Sequence, residues 1–393
     1  MGAVADRSVT QAAPADRRHI VRVVLDWVLA LVGLGVAVWQ IAPRIAEAGR
    51  LSVSFGQLEW RWVGLAVVLS AASLLAYGEL NRQFLNAGEG SVPGSTVQAV
   101  TIAGNAISLT VPAAGGAVGT VYTVHALTER GVGLATAGWA ITMAGIVTGV
   151  LLVVLAPLVF AGVGLLSPPV AVGISLVIAA LIFGTGVVLL RRPRARVVIA
   201  RRVVALARRV PVLRRRMTTS PAQAAWRFSE WITRHSLTRR QWALALLTAL
   251  STWVLDLLAL AACVAATGQP VPWPHVAFGY LAVQASIIAN LTPGGAGPAE
   301  AGLLAALGAG GVPSGPAAVA VVLYRAVSWI VPAVVGWVVF LALIGRGGTR
   351  LEGERRRPQE HARHARGVVA TARTTKLAHT LRHRHERGAG RRR

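Results

Sequence analysis

Cysteine is almost absent from this chain, and acidic side chains are scarce beside basic ones. Its single cysteine, Cys263, excludes a disulfide within the chain, and its place in an apolar run reads as a small core residue rather than a metal ligand. Only 15 Asp and Glu stand against 40 Lys and Arg, a formal net charge of +25. Charged residues of either sign make up just 14% of the chain, whereas 54% of it is hydrophobic and the mean hydropathy is +0.58. No Ser/His/Asp set, HExxH or Cys/His cluster is written in it. Gly295-Ala-Gly297 lacks the strand–helix unit and downstream acid of a dinucleotide fingerprint, and no nucleotide-binding loop is present. An enzyme, a metal site and a bound cofactor are therefore not expected, nor is direct drive by ATP.

What is present is apolar length. Six stretches are long enough to span a bilayer, at roughly 17 to 25 residues each: Leu25 to Ala42, Trp62 to Leu80, Ala135 to Phe160, Val170 to Leu190, Trp242 to Ala266 and Ala317 to Ile344. Runs such as Ala135 to Phe160 leave no polar face for water, so the bilayer is the solvent. The segment 1–20 is polar, with Asp6 and Asp16, unlike the compact basic and apolar blocks of a cleaved signal peptide. Leu25 onward is read as a retained first helix.

The basic residues are segregated from these runs. Fifteen Arg lie between Arg191 and Arg240, 15 Arg or Lys between Arg346 and Arg393, and four Arg precede Leu25. A pI near 11.9 invites a nucleic-acid reading, but the Arg flank spans, where the positive-inside rule already requires them, so no nucleic acid is expected. Within the loop 190–241, Arg194, Arg201 and Arg208 recur every seven residues with Val and Leu between. That spacing suits a helix lying on anionic phospholipid. The tail 346–393 reads as a solvated, disordered basic segment, its five histidines included.

Two further apolar segments are short. Val97 to Val111 and Val276 to Leu291 each run into a Pro/Gly motif, Pro112-Ala-Ala-Gly-Gly-Ala-Val-Gly119 and Pro293-Gly-Gly-Ala-Gly-Pro-Ala-Glu300, 181 residues apart. Interrupted helices in corresponding places of two halves point to a transporter's substrate site, because irregular backbone survives in a membrane only where it lines a cavity. Charge tests this reading. If both short segments crossed fully, five crossings would precede the Arg191–Arg240 loop and put it outside. If both are re-entrant, the N-terminus, that loop and the tail all fall in the cytoplasm. The expected fold is an all-α polytopic membrane protein, with about six full transmembrane helices plus two re-entrant broken-helix hairpins in inverted repeats.

Charges at membrane depth are costly and are functional candidates by default. Within 97–190 and 242–344 they are Glu129, Arg130, Asp256, Glu300 and Arg325. Glu129 and Arg130 read as a solvated pair at the rim. Gly297 suits an N-cap and Pro298 a first helical residue, which puts Glu300 in a first turn where the helix dipole favours a carboxylate. Arg325 needs a counter-ion that Glu300 or Asp256 can supply. Such a pair can simply hold the hairpin to the last helix, or can share its cation with a lipid phosphate. Asn105 and Asn290 fit a polar site and ordinary interhelical hydrogen bonds equally well.

The pattern Pro-Gly-Gly-x-Gly-x-x-Glu at Pro293 to Glu300, followed by Gly311-Val312 and by Leu323-Tyr-Arg325, resembles the membrane domain of lysylphosphatidylglycerol synthases and their stand-alone flippase-like relatives. The resemblance covers residues 21–345. It departs in the first hairpin, where Gly116 is followed by Ala117 rather than by the Gly-Glu and following Arg of many relatives. It implies lipid translocation between leaflets of the inner membrane, with only about 48 residues after Gly345 where the full-length synthases carry an aminoacyltransferase domain. On this reading Arg325 contacts phosphate, while Glu300 and Asp256 balance it or an amine. Half-helix N-termini at Pro112 and Pro293 offer unpaired N–H groups, Gly115, Gly116, Gly294, Gly295 and Gly297 allow close approach and bending, and Asn105 and Asn290 add polarity. Two other classes stay open: a non-transporting scaffold that docks a cell-envelope enzyme, and a carrier of a small solute or ion.

Topology is the first testable consequence. Cysteine probes at Arg82, Arg209 and Arg363 are expected to label only from the cytoplasm, and probes at Ser167 and Gln269 only from outside. External labelling at Arg209 would overturn the arrangement.

Overall fold

Five of the apolar stretches become helices long enough to cross a bilayer. The computed structural model describes residues 58–88, 92–111, 115–191, 202, 223, 237–289 and 295–344. The expected first span Leu25 to Ala42, nearly all of the basic loop, and the basic tail lie outside the described residues. The helices in chain order are α1 (Trp60–Ala87), α2 (Gly94–Thr110), α3 (Gly115–Glu129), α4 (Leu134–Gly162), α5 (Pro168–Arg191), α6 (Arg239–Ala265), α7 (Trp273–Ala289), α8 (Pro298–Ala309) and α9 (Ser314–Arg325). A π-turn at Ala326–Ile330 carries α9 onward, and the whole span is Ser314–Ile344. Contacts divide the chain into residues 1–340 and 341–393, and only 341–344, the end of this last helix, are described in the second unit.

Length separates two kinds of helix. α1, α4, α5, α6 and the Ser314–Ile344 helix are long and apolar enough to span. The helices α2, α3, α7 and α8 have 17, 15, 17 and 12 residues. At 1.5 Å per residue none exceeds about 26 Å, short of a hydrocarbon core of about 30 Å. One boundary differs from the hydropathy reading, since α1 continues seven residues beyond Leu80. It does so because the polar side chains there find partners: buried Asn81 donates to Thr101 of α2 at 3.1 Å, Gln83 donates to Thr248 of α6 at 3.0 Å, and Glu79 pairs with Arg82 at 2.6 Å.

The centre of the fold is the antiparallel pair α1 and α6. Gln83 meets Thr248 towards one end and the Ser73 hydroxyl donates to the Thr252 carbonyl further along. At the other end the Glu59 N–H donates to the Ala266 carbonyl at 3.0 Å. The short helices hang on opposite ends of this pair. A side chain on Gly94, which opens α2, would touch Arg82, and Thr136 in the first turn of α4 donates to the Gly88 carbonyl. So α2 leaves, and α3 returns, at the Arg82 end. α7 leaves at the Ala266 end, and α8 returns there, with Gly310 lying against Pro272 and His275. The far end of α4 reaches this same end, where Phe160 meets Phe278 edge-on at 6.1 Å.

Two of the short helices, α3 and α8, end in the same way. Gly131 and Gly311 have φ of 93° and 84°, in the left-handed region that glycine occupies without strain. In both helices the following Val closes the end with a bond to a Leu carbonyl, Val132 to Leu127 at 3.2 Å and Val312 to Leu307 at 3.1 Å, the six-to-one bond of a Schellman cap. Trp60 and Trp273 are exposed at the Ala266 end and Trp242 stands near the start of α6, as interfacial tryptophans do. Leu176, Leu181 and Phe183 of α5 are likewise exposed, a surface suited to lipid.

Glycine brings α2 and α3 together. A Cβ on Gly115 would strike the Ser108 carbonyl, and one on Gly119 would strike Ser108 and the Gly104 carbonyl. Gly145 and Gly149 of α4, by contrast, have open space where a side chain would stand, so neither is a point of close helix contact among the described residues. Gly119→Val is therefore expected to lower stability by about 1–3 kcal/mol or more through overpacking, while Gly145→Ala is neutral or stabilising by about 0.5–1 kcal/mol. Thermal unfolding of the two purified variants checks the contrast, and equal losses would contradict it.

Candidate functional site

A buried guanidinium is the centre of the site, and the sequence around it explains how it is held. Gly297 has φ of 95°, which only glycine adopts readily, and Pro298 begins α8 with the φ that a first helical residue needs. Glu300 thereby falls in the first turn. Its Oε2 accepts the Gly297 N–H at 2.6 Å, and its Oε1 accepts Nε–H of Arg325 at 2.9 Å. The side chain of Arg325 is only 3% exposed and that of Glu300 17%. Of the two expected counter-ions, Glu300 is the one bonded to Arg325.

Arg325 ends the regular part of α9, immediately before the π-turn, near the middle of the Ser314–Ile344 span. One turn further on, Trp329 lies with its ring 4.8 Å from the guanidinium carbon, close enough for a cation–π interaction. The Trp329 indole N–H in turn donates to the Leu109 carbonyl at 3.2 Å. Leu109 is the penultimate residue of α2. The arrangement thus joins the start of α8, the middle of the last span and the end of α2, so the inner ends of both short-helix pairs converge on one cation.

Asp256 is placed differently. On α6, its Oδ2 accepts hydroxyl donors from Tyr280 of α7 at 3.0 Å and Tyr324 of α9 at 3.2 Å. Two of the four tyrosines in the chain therefore meet one carboxylate. Tyr324 and Arg325 are consecutive on α9, which turns one towards α6 and the other towards α8. Sequence reasoning missed Tyr280, Tyr324 and Trp329. Their signals were the scarcity of tyrosine and the Arg-x-x-x-Trp spacing.

The remaining expected residues divide. Pro112, Asn290, Pro293 and Gly294 lie outside the described residues. Gly295, with φ of 72°, backs tightly onto Ser286 and Ile287 of α7, and Gly115 backs onto Ser108. Gly116 is exposed, with nothing within 4 Å of where a side chain would stand. Asn105 is half-buried one turn before Leu109, on the same face of α2. The expected half-helix N-termini at Pro112 and Pro293 lie outside the described residues, and at Gly297 the N–H is taken by the Glu300 carboxylate. In the first pair of short helices, hydroxyls bond back to carbonyls of their own helix, Ser108 to Gly104, Thr110 to Ala106 and Thr123 to Gly119. Their polarity is used up locally. At the rim, Glu129 pairs with His125 at 3.1 Å, while Arg130 donates to the Ala126 carbonyl.

A family model described as the lysylphosphatidylglycerol synthase TM region matches residues 23–336. The chain belongs to this family. A search of the curated proteins finds no match. As a member of the lysylphosphatidylglycerol synthase transmembrane family, the chain is a multi-pass membrane protein of flippase-like, lipid-handling type. The match takes in both pairs of short helices and ends seven residues after Trp329, so the whole Arg325 arrangement falls within it.

Removing one member of a buried ion pair costs about 3–5 kcal/mol. Glu300→Ala is accordingly expected to lower the thermal stability of the purified protein markedly and to reduce its level in the membrane. The neutral pair Glu300→Gln with Arg325→Gln should recover most of that loss. Stability unchanged by Glu300→Ala would show that the carboxylate does not hold the cation.

Proposed function

We propose that the chain moves a phospholipid, or another lipid with an anionic or zwitterionic headgroup, between the leaflets of the membrane, with the headgroup taken up at Arg325 and Glu300. The observation that carries this reading is the convergence of both pairs of short helices on one buried guanidinium. A structural ion pair would need only Glu300. Here Trp329 also ties the same cation to α2.

The chemistry is competitive. A headgroup phosphate and the Glu300 carboxylate are alternative acceptors for the planar guanidinium, which favours both. When phosphate takes Arg325, Glu300 is released towards the amine of a zwitterionic or aminoacylated headgroup, or stays on the Gly297 N–H. Gly295 and Gly297 give the backbone the freedom to follow. Pro112, Asn290, Pro293 and Gly294 would line the path together with Asn105, Gly115 and Gly116.

The route between leaflets follows from an inverted repeat. In this reading 21–345 is one flippase-like domain whose two hairpins are re-entrant from opposite faces. Its support is the antiparallel packing of α1 on α6, the helices that precede the two hairpins, together with the attachment of the hairpins at opposite ends of that pair. Alternate opening of the two hairpins would expose Arg325 first to one leaflet and then to the other. The basic loop 190–241 and the tail 346–393 would lie on the cytoplasmic leaflet with both termini, held by anionic phospholipids.

Reconstitution tests this. Proteoliposomes with the wild-type chain should exchange a fluorescent phospholipid between leaflets well above the protein-free rate, and the neutral pair Glu300→Gln with Arg325→Gln should slow exchange at least about tenfold, or about 1.4 kcal/mol. Full exchange by a folded neutral double variant would make the pair structural only. A wild-type chain that exchanges no lipid would favour the scaffold or the solute carrier instead.

A further inference from the structure

Asp256 is bonded to other partners than the Arg325–Glu300 pair. Its carboxylate stands inside the membrane-spanning α6 and is met by two neutral hydroxyls, those of Tyr280 and Tyr324, on the same oxygen. No ion pair to Asp256 is formed among the described residues: Arg325, one residue beyond Tyr324, is bonded to Glu300. Around it, α7 contributes Tyr280 and the neutral, buried Gln284, and α9 contributes Tyr324. On α6 itself the nearest titratable neighbour in sequence is Cys263. The charged side chains of α1 stand away from its middle, Glu59 with Arg61 and Glu79 with Arg82, and α4 has none. A carboxylate without a cation in such surroundings is costly, and the costs of burial fall when it takes up a positive ion.

The ion that fits is a proton. A metal cation needs about six oxygen ligands around it, whereas the side chains here offer one carboxylate, two hydroxyls and an amide. We propose that Asp256 is a second site, separate from the headgroup site, whose ligand is a proton, and that its occupancy couples lipid movement to the proton gradient. The step is a single protonation: a proton from one aqueous side neutralises the carboxylate and leaves to the other side when it ionises again. Charge-assisted hydrogen bonds are about twice as strong as neutral ones, so protonation weakens both tyrosine bonds together. Those bonds tie α6 to α7, the first helix of the second hairpin, and to α9, which carries Arg325. Trp253, edge-on to Tyr280 at 6.2 Å and bonded through its indole to the Thr148 carbonyl of α4, links the same cluster to the other half of the fold. Protonation at Asp256 thus loosens the hairpin that supplies Glu300. The coupling, though not the proton site, rests on the lipid reading.

Two measurements test it on the full chain in liposomes. In infrared spectra taken from about pH 5 to about pH 8, the range in which cellular proton switches act, the wild-type minus Asp256→Asn difference should contain a carboxylic C=O band that grows as pH falls. Tyr280→Phe, which keeps the carboxyl, should displace its midpoint. A difference spectrum with no titrating band would overturn the proton site. In the second measurement, reversing an imposed pH gradient should change the wild-type rate of fluorescent phospholipid exchange several-fold, and Asp256→Asn should abolish that dependence. Exchange that ignores the gradient in the wild type would overturn the coupling and leave the lipid reading standing. A titrating band in a chain that moves no lipid would leave the proton site standing and sink the lipid reading.

Discussion

The bond between Arg325 and Glu300 is the interaction on which the rest of the structure depends. A guanidinium that is 3% exposed in the middle of an apolar span has no water to solvate it, so protein must supply the opposite charge at the same depth. A carboxylate on another full span would serve, but it would need its own compensation. Placing it in the first turn of an interrupted helix is less costly, because the unpaired N–H groups there already favour a negative charge. Glu300 uses both resources at once, accepting from the Gly297 N–H and from Arg325. The interruption before α8 and the cation in α9 are two parts of one solution.

That solution constrains the backbone. An interrupted helix in a membrane must be packed so closely that its loose ends meet protein. Hence glycine is found where the short helices touch: Gly115 and Gly119 against α2, Gly279 beneath Leu303, Gly302 against Ala282. Gly336 serves the same end, since a side chain there would strike the Ile102 carbonyl and Ala106, and α2 could not lie against the last span. The π-turn following Arg325 fits this setting too. Such turns open a helix locally and recur at functional positions; here it holds Trp329, whose indole reaches the Leu109 carbonyl.

Much of this was legible in the sequence, because the physics that sets it is local. Hydropathy and length marked four of the five described spans to within about three residues at each end, and the shortness of Val97–Val111 and Val276–Leu291 marked α2 and α7. The placing of Glu300 in a first turn followed from Gly297-Pro298 alone. What was not legible depends on partners distant in sequence. Hydropathy ended α1 at Leu80 because Asn81, Arg82 and Gln83 are polar, and only the fold shows Thr101 and Thr248 waiting for Asn81 and Gln83. The choice between Glu300 and Asp256 as the counter-ion was open for the same reason, since each lies far from Arg325 along the chain.

The outcome of that choice gives the last helix its character. Consecutive residues on a helix point about 100° apart, so Tyr324 and Arg325 cannot serve one neighbour; each must face a different one. Tyr324 goes to Asp256 on α6, and Arg325 goes to Glu300 on α8. The two half-buried carboxylates are thereby kept on separate donors, one compensated by a full charge and the other by hydroxyls alone. A displacement of α9 alters both at once. A rotation that opens Arg325 towards a phosphate also moves the Tyr324 hydroxyl relative to Asp256, and a change of charge at Asp256 is felt at Arg325 through the same turn of backbone. Coupling between the two sites needs no relay of side chains across the molecule, because adjacent residues on one rigid helix already link them.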